Sequence, residues 1–160
     1  MNGFRKSTKA IEMLLAERDC FFLTLEAVGG ARVFENFRLA GVLTDTFLEF
    51  RGRNRLFIYA FVVMPDHAHL LFSPIGKRTH SGLVESLTQE IHQRLSEIIP
   101  SSSLAALEPK LRSIATPEYF EACRRYIEED PVDEGLATAP ESYPFSSRNG
   151  KFPCDFYEEV

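Results

Sequence analysis

The feature that most constrains the fold is a nearly continuous apolar segment with one sharp interruption. Residues 56–64 read LFIYAFVVM and residues 67–72 read HAHLLF, with Pro65 and Asp66 between them. Apolar, β-branched and aromatic runs of this length are typical of buried strands, and a Pro-Asp pair is typical of a tight turn. The pattern therefore predicts an antiparallel hairpin near the centre of a sheet.

Helical and extended patterns alternate on either side of this hairpin. Apolar residues at spacings of three and four predict helices, whereas runs of branched and aromatic residues predict strands. On these grounds we expect, in chain order, a helix over 7–19, a strand over 20–26, a helix over 34–50 and a helix over 82–99. Ser81 stands where the cap of the last of these helices is expected.

The C-terminal part contains the clearest helix start in the chain. Thr116 followed by Pro117 combines a capping hydroxyl with a proline at the first helical position. We expect this helix to end at Asp130, because Pro131 follows it. Before the helix, residues 110–114 predict a short last strand.

The predicted elements define the fold class. Their order is strand, helix, strand, strand, helix, strand, followed by a C-terminal helix, which is the βαββαβ pattern of an α+β, ferredoxin-like fold. Two amphipathic helices on one face of a small antiparallel sheet would bury the apolar stripes. A chain of 160 residues suits one domain, so we expect residues 1–160 to form a single unit with its core over about 20–147. The fold alone does not specify a chemistry.

Charge is distributed unevenly along the chain, whose formal net charge is −5. Residues 1–116 carry 14 Lys and Arg against 12 Asp and Glu, whereas residues 117–160 carry 4 against 11. This is not the uniformly basic profile of a protein that coats nucleic acid, although a local basic face is compatible with it. The local candidates for DNA contact are Arg51, Arg53, Arg55, Lys77 and Arg78. The alternative interpretation, which fits equally well, is that these basic residues lie in solvated loops and bind nothing.

Composition also bears on the compartment. No apolar run approaches the roughly 20 residues that span a bilayer, so no membrane partner is expected, and the N-terminus lacks the apolar core of a signal peptide. The cysteines Cys20, Cys123 and Cys154 are odd in number and widely spaced. They predict neither a disulfide framework nor a structural zinc cluster, and we expect a cytoplasmic protein.

The sharpest candidate for chemistry is the pair His67 and His69. Residues i and i+2 of a strand point to the same face, about 6.6 Å apart along the chain. Two imidazoles so placed can bind one divalent cation, but they leave it under-coordinated and require a third ligand from elsewhere. Two exposed or hydrogen-bonded histidines are the alternative interpretation of the same pattern.

The second candidate lies on the C-terminal helix, where Tyr126 and Asp130 are neighbours at spacing i, i+4. If that face of the helix meets the histidine pair, Asp130 supplies the third ligand and Tyr126 lies beside the metal. The metal would polarise a phosphoryl oxygen and help the phenol to act as a nucleophile. Tyr119, near the same face, is the alternative nucleophile, and a helix with purely structural Tyr and Asp contacts is the alternative interpretation.

Three motifs in this order resemble those of the HUH single-tyrosine transposases, and in particular the REP-associated tyrosine transposases. Residues 61–71, FVVMPDHAHLL, resemble the signature [YF]VVMPNHxHLL. Residues 126–136, YIEEDPVDEGL, resemble YIxxNPVxxGL, and residues 143–147, YPFSS, resemble YPWSS. With weaker likeness in the first strand, the resemblance extends over about 20–147.

This resemblance implies a metal-dependent enzyme that nicks and rejoins single-stranded DNA next to a hairpin through a 5′-phosphotyrosine intermediate. His67 and His69 match the metal-binding histidines of the family, and Tyr126 matches its nucleophile. Asp130 stands where the family has an amide, Asn or Gln, that completes the metal site. The implied cofactor is Mg²⁺ or Mn²⁺.

The same resemblance makes Arg124 and Arg125, beside the tyrosine, candidates for phosphate contact. A carboxylate at position 130 remains a competent ligand for a hard cation, but its negative charge would oppose a DNA phosphate. A DNA-hairpin-binding protein that has lost cleavage is therefore an alternative. So are a hydrolytic metalloenzyme in which the two histidines activate water, and a generic interaction domain. Both a monomer and a homodimer fit the sequence.

Overall fold

The computed structural model describes residues 2–77, 79–100, 102 and 104–155, with side chains from residue 8 onward within those ranges. The helices and strands are α1 (Asn2–Glu17), β1 (Cys20–Ala27), α2 (Phe37–Gly52), β2 (Leu56–Val63), β3 (His67–Pro74), α3 (His80–Ser96), β4 (Leu107–Ile114) and α4 (Pro117–Asp133). No helix in these ranges is long and apolar enough to cross a membrane.

The four strands form one antiparallel sheet in the order β2-β3-β1-β4. The predicted hairpin is confirmed, since β2 and β3 pair up to Val63 and Ala68 on either side of the Pro-Asp turn. Its turn is held by the neighbouring segments: the carbonyl of Asp66 accepts a hydrogen bond from Ala27 N at 3.0 Å, and that of Pro65 accepts one from Phe34 N at 2.9 Å. The strand order and the two helical crossovers are those of the predicted α+β, ferredoxin-like fold.

Helices cover both faces of the sheet. The prediction of two amphipathic helices on one face is confirmed by α2 and α3, and α1 and α4 lie on the other face. Helices α2 and α3 share one buried core with alternate residues of every strand, which includes Phe47, Phe61, Leu70 and Leu87. Helices α1 and α4 share a second core on the opposite face, which includes Ile11, Leu71, Phe120 and Ile127. Full burial of each such side chain contributes about 1.5–3 kcal/mol relative to exposure.

The predicted cap of α3 and the predicted end of α4 are both wrong. The cap of α3 is Thr79, whose hydroxyl accepts a hydrogen bond from Gly82 N at 3.1 Å, and Ser81 lies inside the helix. Pro131 does not end α4, which continues to Asp133. Pro131 removes one backbone hydrogen-bond donor from the helix, and the burial of Pro131 and Asp130 outweighs this loss. The predicted cap at Thr116 is confirmed, because its side chain accepts from Tyr119 N at 3.2 Å.

The C-terminal segment covers the outer edge of β2. The Ser147 hydroxyl accepts a hydrogen bond from Phe61 N at 3.0 Å. Farther along, the Asp155 carboxylate accepts one from Ile58 N at 3.0 Å and two from the Arg51 guanidinium at 2.9 and 3.0 Å. An edge strand covered in this way cannot recruit a foreign strand.

Candidate active site

The pleat of β3 places His67 and His69 on the face of the sheet that meets α4. Ala68 between them points into the other core, where it is 1% exposed. The two imidazole rings are 4.8 Å apart between centroids and inclined by 66°. The alternation of a strand therefore brings both rings to one side, as the sequence predicts.

Asp130 of α4 meets this pair. Its Oδ2 lies 2.9 Å from His67 Nε2 and 3.5 Å from His69 Nε2. One ligand atom from each of the three residues lies within 4.8 Å of the other two. The structure thus brings together the three residues that sequence reasoning selected as ligands, although the strand and the helix are far apart in the chain.

The side chains of His67, Asp130 and His69 differ in their protonation states. Burial lowers the pKa of His67, but hydrogen bonds to Asp130 and Asp66 outweigh it and raise that pKa to about 9. Burial raises the pKa of Asp130, but the hydrogen bond from His67 and the close approach of His69 outweigh it and lower that pKa to about 2. Burial also lowers the pKa of His69, which the neighbouring carboxylate opposes only in part. Without a cation, the group is a His67–Asp130 ion pair beside a neutral His69.

Each imidazole is oriented by a second partner on its Nδ1 atom. Asp66 Oδ1 lies 2.7 Å from His67 Nδ1, and Thr24 Oγ1 of β1 lies 3.0 Å from His69 Nδ1. Both Nε2 atoms are therefore left facing Asp130. Hydrogen-bonded partners of this kind orient the histidines of metal sites.

The buried Nε2 atom of His69 tests whether these residues fit a cation. It makes no hydrogen bond with the described residues, and Asp130 is 3.5 Å away. An unsatisfied buried polar atom costs about 1–3 kcal/mol, and coordination of a metal would satisfy it. Two imidazole nitrogens and one carboxylate oxygen, each held in place, fit a divalent cation.

Tyr126 stands one helical turn before Asp130, at the mouth of the group, and is 55% exposed. Its ring centroid lies 5.3 Å from that of His69, in an edge-on arrangement. Burial raises the pKa of Tyr126, and the negative charges of Asp130, Glu134 and Asp133 add to the effect. The phenol is therefore protonated at neutral pH in the absence of a cation.

A cleft of about 340 Å³ opens beside the group. Glu26, Asp66 and Glu108 give part of its lining an acidic character. Gly29 and Gly30 form a further part with φ values of 71° and 69°, in the left-handed region that favours glycine. The cleft thus admits a ligand to the cluster but does not attract an anion from its acidic side.

Sequence reasoning missed the two partners of the imidazole Nδ1 atoms. Asp66 is adjacent to His67 in the chain, so an acidic residue beside a candidate ligand was an available signal. Thr24 had no such signal, because its contact depends on the register that pairs it with His69 across β1 and β3. Only the observed pairing places its hydroxyl at the ring.

The basic residues predicted to contact DNA lie in two regions. Arg125 is exposed on α4 beside Tyr126, and Arg124 donates to Glu121 at 2.8 Å. The second region holds Arg51, Arg53, Arg55 and Lys77, which flank β2 and β3 where Leu56 pairs with Pro74, at the end of the hairpin opposite to the histidines.

Internal partners already engage most of this distant group. Arg51 pairs with Asp155, and Arg53 lies 3.6 and 3.4 Å from Glu49 and Glu90. The Arg55 guanidinium lies 4.3 Å from the centre of the Phe50 ring. Lys77 follows β3, and Arg78 lies outside the described residues. The structure therefore does not bring the four described residues of this group to the histidines.

The fold and the cluster together define an α+β, ferredoxin-like protein with a His-x-His pair facing a helical tyrosine and aspartate. A solved structure of a REP-associated tyrosine transposase bound to a REP hairpin is similar to it. The TM-score is 0.64 at 19% identity, over 89% of this chain and 87% of that one. A candidate transposase from Deinococcus radiodurans R1 is also similar, with a TM-score of 0.52 at 17% identity, over 73% of this chain and 89% of that one.

At these identities the likeness shows a shared fold. The resemblance predicted from the sequence motifs is thus matched by solved transposase structures over most of the chain. No protein-family model matches the chain, and no curated protein sequence matches it either.

Proposed function

We propose that this protein is a metal-dependent enzyme that cuts and rejoins a strand of DNA, with Tyr126 as its nucleophile. The observation that carries the proposal is the meeting of His67, His69 and Asp130 within 4.8 Å, with the Tyr126 ring against that of His69. The fold it shares with a transposase solved on a REP hairpin supports single-stranded DNA next to a hairpin as the substrate.

His67, His69 and Asp130 are the proposed ligands of the cation. An Mg²⁺ or Mn²⁺ ion bound there supplies Lewis acidity, which polarises a phosphoryl oxygen and favours ionisation of a nearby phenol. Asp130 contributes the anionic oxygen that such hard cations prefer. Asp66 and Thr24 act as positioning residues, because they hold each ring with Nε2 toward the carboxylate.

The proposed reaction exchanges one phosphodiester for another. The Tyr126 Oη atom attacks phosphorus and loses its proton, the bond from phosphorus to the 3′ oxygen breaks, and that oxygen takes up a proton and leaves as a 3′-hydroxyl. The product is a 5′-phosphotyrosine. Attack by a 3′-hydroxyl reverses the step and reseals a strand. Because one ester replaces another, the cycle consumes neither water nor a nucleotide.

A second candidate function is that of a DNA-hairpin-binding protein that does not cut. It is favoured by the three carboxylates of Asp130, Asp133 and Glu134, which raise the pKa of Tyr126 and so disfavour its nucleophilic form. They would also repel the phosphate that an enzyme must bring to the phenol. In this candidate function the protein still binds the DNA hairpin but does not cut it.

Strand cutting separates the two candidates. A labelled hairpin oligonucleotide with a single-stranded flank is incubated with Mn²⁺ and either wild-type protein or Tyr126→Phe, and binding is followed on a native gel. We expect both proteins to shift the oligonucleotide and only the wild type to cut it. A shift with no cutting by the wild type would favour the binding protein. Cutting that survives in Tyr126→Phe and is lost in Tyr119→Phe would make Tyr119 the nucleophile.

A further inference from the structure

The sheet face beside α4 carries a regular series of side chains that the proposed chemistry does not use. On this face α4 packs on β2 and β3, whereas Glu108, Lys110 and Arg112 of β4 are exposed. The strand register places Lys110 of β4 beside Thr24, and Thr24 beside His69. One step farther from the hairpin turn, Arg112 lies beside Phe22. The open face therefore continues outward from the histidine group.

Charge changes sign along this open face. At the level of His67, the register pairs the two carboxylates of Glu26 and Glu108. At the next level the Lys110 ammonium lies 2.8 Å from Glu26, so its charge is largely balanced. Arg112 is exposed and forms no ion pair with the described residues. One end of the face thus repels a phosphate, and the other attracts one.

Aromatic rings accompany the positive end. The half-buried Phe22 ring is stacked on His69 with 5.1 Å between centroids, and its edge meets Tyr126 at 6.4 Å. Tyr119 is 36% exposed on α4, two helical turns before Tyr126 and on nearly the same face. Exposed aromatic rings beside cations are the combination on which single-stranded nucleic acids stack and are held.

We propose that a single strand of DNA lies along this face, between α4 and β4, and reaches the histidine group from the side of Phe22 and Arg112. Arg112 holds a backbone phosphate, and Tyr119 stacks on a base. The carboxylates of Glu26 and Glu108 repel the strand, so that it does not approach from the side of the hairpin turn. This inference rests on the proposed function, which supplies the DNA strand as the ligand.

The test is the affinity for a fluorescent single-stranded oligonucleotide, measured by anisotropy over a series of salt concentrations in EDTA, so that no cutting intervenes. We expect Arg112→Ala to weaken binding about fivefold or more and to make the slope of log K against log salt shallower by about 0.7, the value for one lost phosphate contact. Tyr119→Ala removes stacking but no charge, so it should weaken binding about tenfold with an unchanged slope.

Arg38→Ala is the matched control. Arg38 is exposed on α2, which packs on the other face of the sheet, so this variant should bind as the wild type does. Arg112 and Tyr119 are also exposed, and thermal melting should show that all three variants fold.

The outcomes separate the two proposals. If the wild type binds the oligonucleotide, and Arg112→Ala and Tyr119→Ala bind it with the same affinity as Arg38→Ala, the strand lies elsewhere. The proposed function then stands without this surface. If the wild type binds through Arg112 and Tyr119 but never cuts with Mn²⁺, the surface stands and the proposed chemistry fails. A wild type that binds no single strand overturns both proposals.

Discussion

Asp130 Oδ2 lies 2.9 Å from His67 Nε2, and this contact joins two residues that are 63 positions apart in the chain. It fixes the last turns of α4 against β3 and thereby places Tyr126 at the ring of His69. The same carboxylate serves as the partner of a charged histidine in the metal-free protein and as a proposed metal ligand. Metal binding and the stability of the metal-free fold are therefore linked at one side chain.

Asp130→Asn should separate these two roles. The amide retains an oxygen that can act as a ligand but removes the negative charge. We expect weaker binding of Mn²⁺, by about tenfold or more, together with tighter binding of DNA, because repulsion of the phosphate is reduced. Calorimetric titration with Mn²⁺ and anisotropy with a hairpin oligonucleotide measure the two effects. Unchanged Mn²⁺ affinity in this variant would count against Asp130 as a ligand.

The pH dependence of stability should carry the signature of His67. Its pKa is raised from 6.5 to about 9 in the folded protein, because it is hydrogen-bonded to Asp130 and Asp66. The stabilisation is complete below pH 6.5 and is lost as the pH rises through about 9. We expect the free energy of unfolding of the metal-free protein to fall by about 1–2 kcal/mol over this window, after allowance for solvent screening of the partly exposed ring.

Urea unfolding in EDTA at several pH values from 6 to about 10 measures this decline. The matched variant is His67→Gln, which should be less stable than the wild type at pH 6 and should show a flatter profile. At the acidic end, the lowered pKa of Asp130 has the opposite consequence: its contribution is present above pH 3.8 and is lost as the pH falls through about 2. If the free energy of unfolding falls equally in the wild type and in His67→Gln as the pH rises through about 9, His67 is not the responsible group.

Thr24→Val tests whether orientation of His69 matters for metal binding. The change keeps the shape of the side chain but leaves His69 Nδ1 without the hydroxyl at 3.0 Å. We expect the affinity for Mn²⁺ to fall by about 10- to 100-fold. The free energy of unfolding should fall by about 1–3 kcal/mol.

Thr88→Val is the control for this substitution. Thr88 is half-buried in α3, and its hydroxyl donates to Val84 O within the same helix, on the far side of the sheet from the histidines. It should leave the affinity for Mn²⁺ unchanged. Equal losses in the two threonine variants would mean that the effect comes from general destabilisation, and the positioning role of Thr24 would be withdrawn.

Local patterns were sufficient to predict much of the fold. The apolar runs around Pro65 predict the hairpin, and the Thr116-Pro117 pair predicts the start of α4. These signals act over a few residues, so they can be recognised without knowledge of the partners. The end of α4 could not be predicted in the same way, because the burial of Asp130 and Pro131 in the tertiary structure outweighs the local effect of a proline.

The site was predictable only in part for the same reason. The alternation of a strand places His67 and His69 on one face, and helical spacing places Tyr126 and Asp130 together. That these two faces meet depends on the packing of α4 over β3, which no local pattern specifies. The role of Thr24 depends on strand register, and a register shift of one residue would turn it to the other face.

The most direct measurement is mass spectrometry of the protein after incubation with Mn²⁺ and a hairpin oligonucleotide, followed by denaturation and digestion. The account predicts a peptide in which the Tyr126 oxygen carries a 5′-phosphate-linked DNA fragment, and predicts that this peptide disappears in Tyr126→Phe, in His67→Ala and in EDTA. Cut DNA without any covalent peptide would instead indicate hydrolysis by activated water, and would contradict the central claim that Tyr126 is the nucleophile.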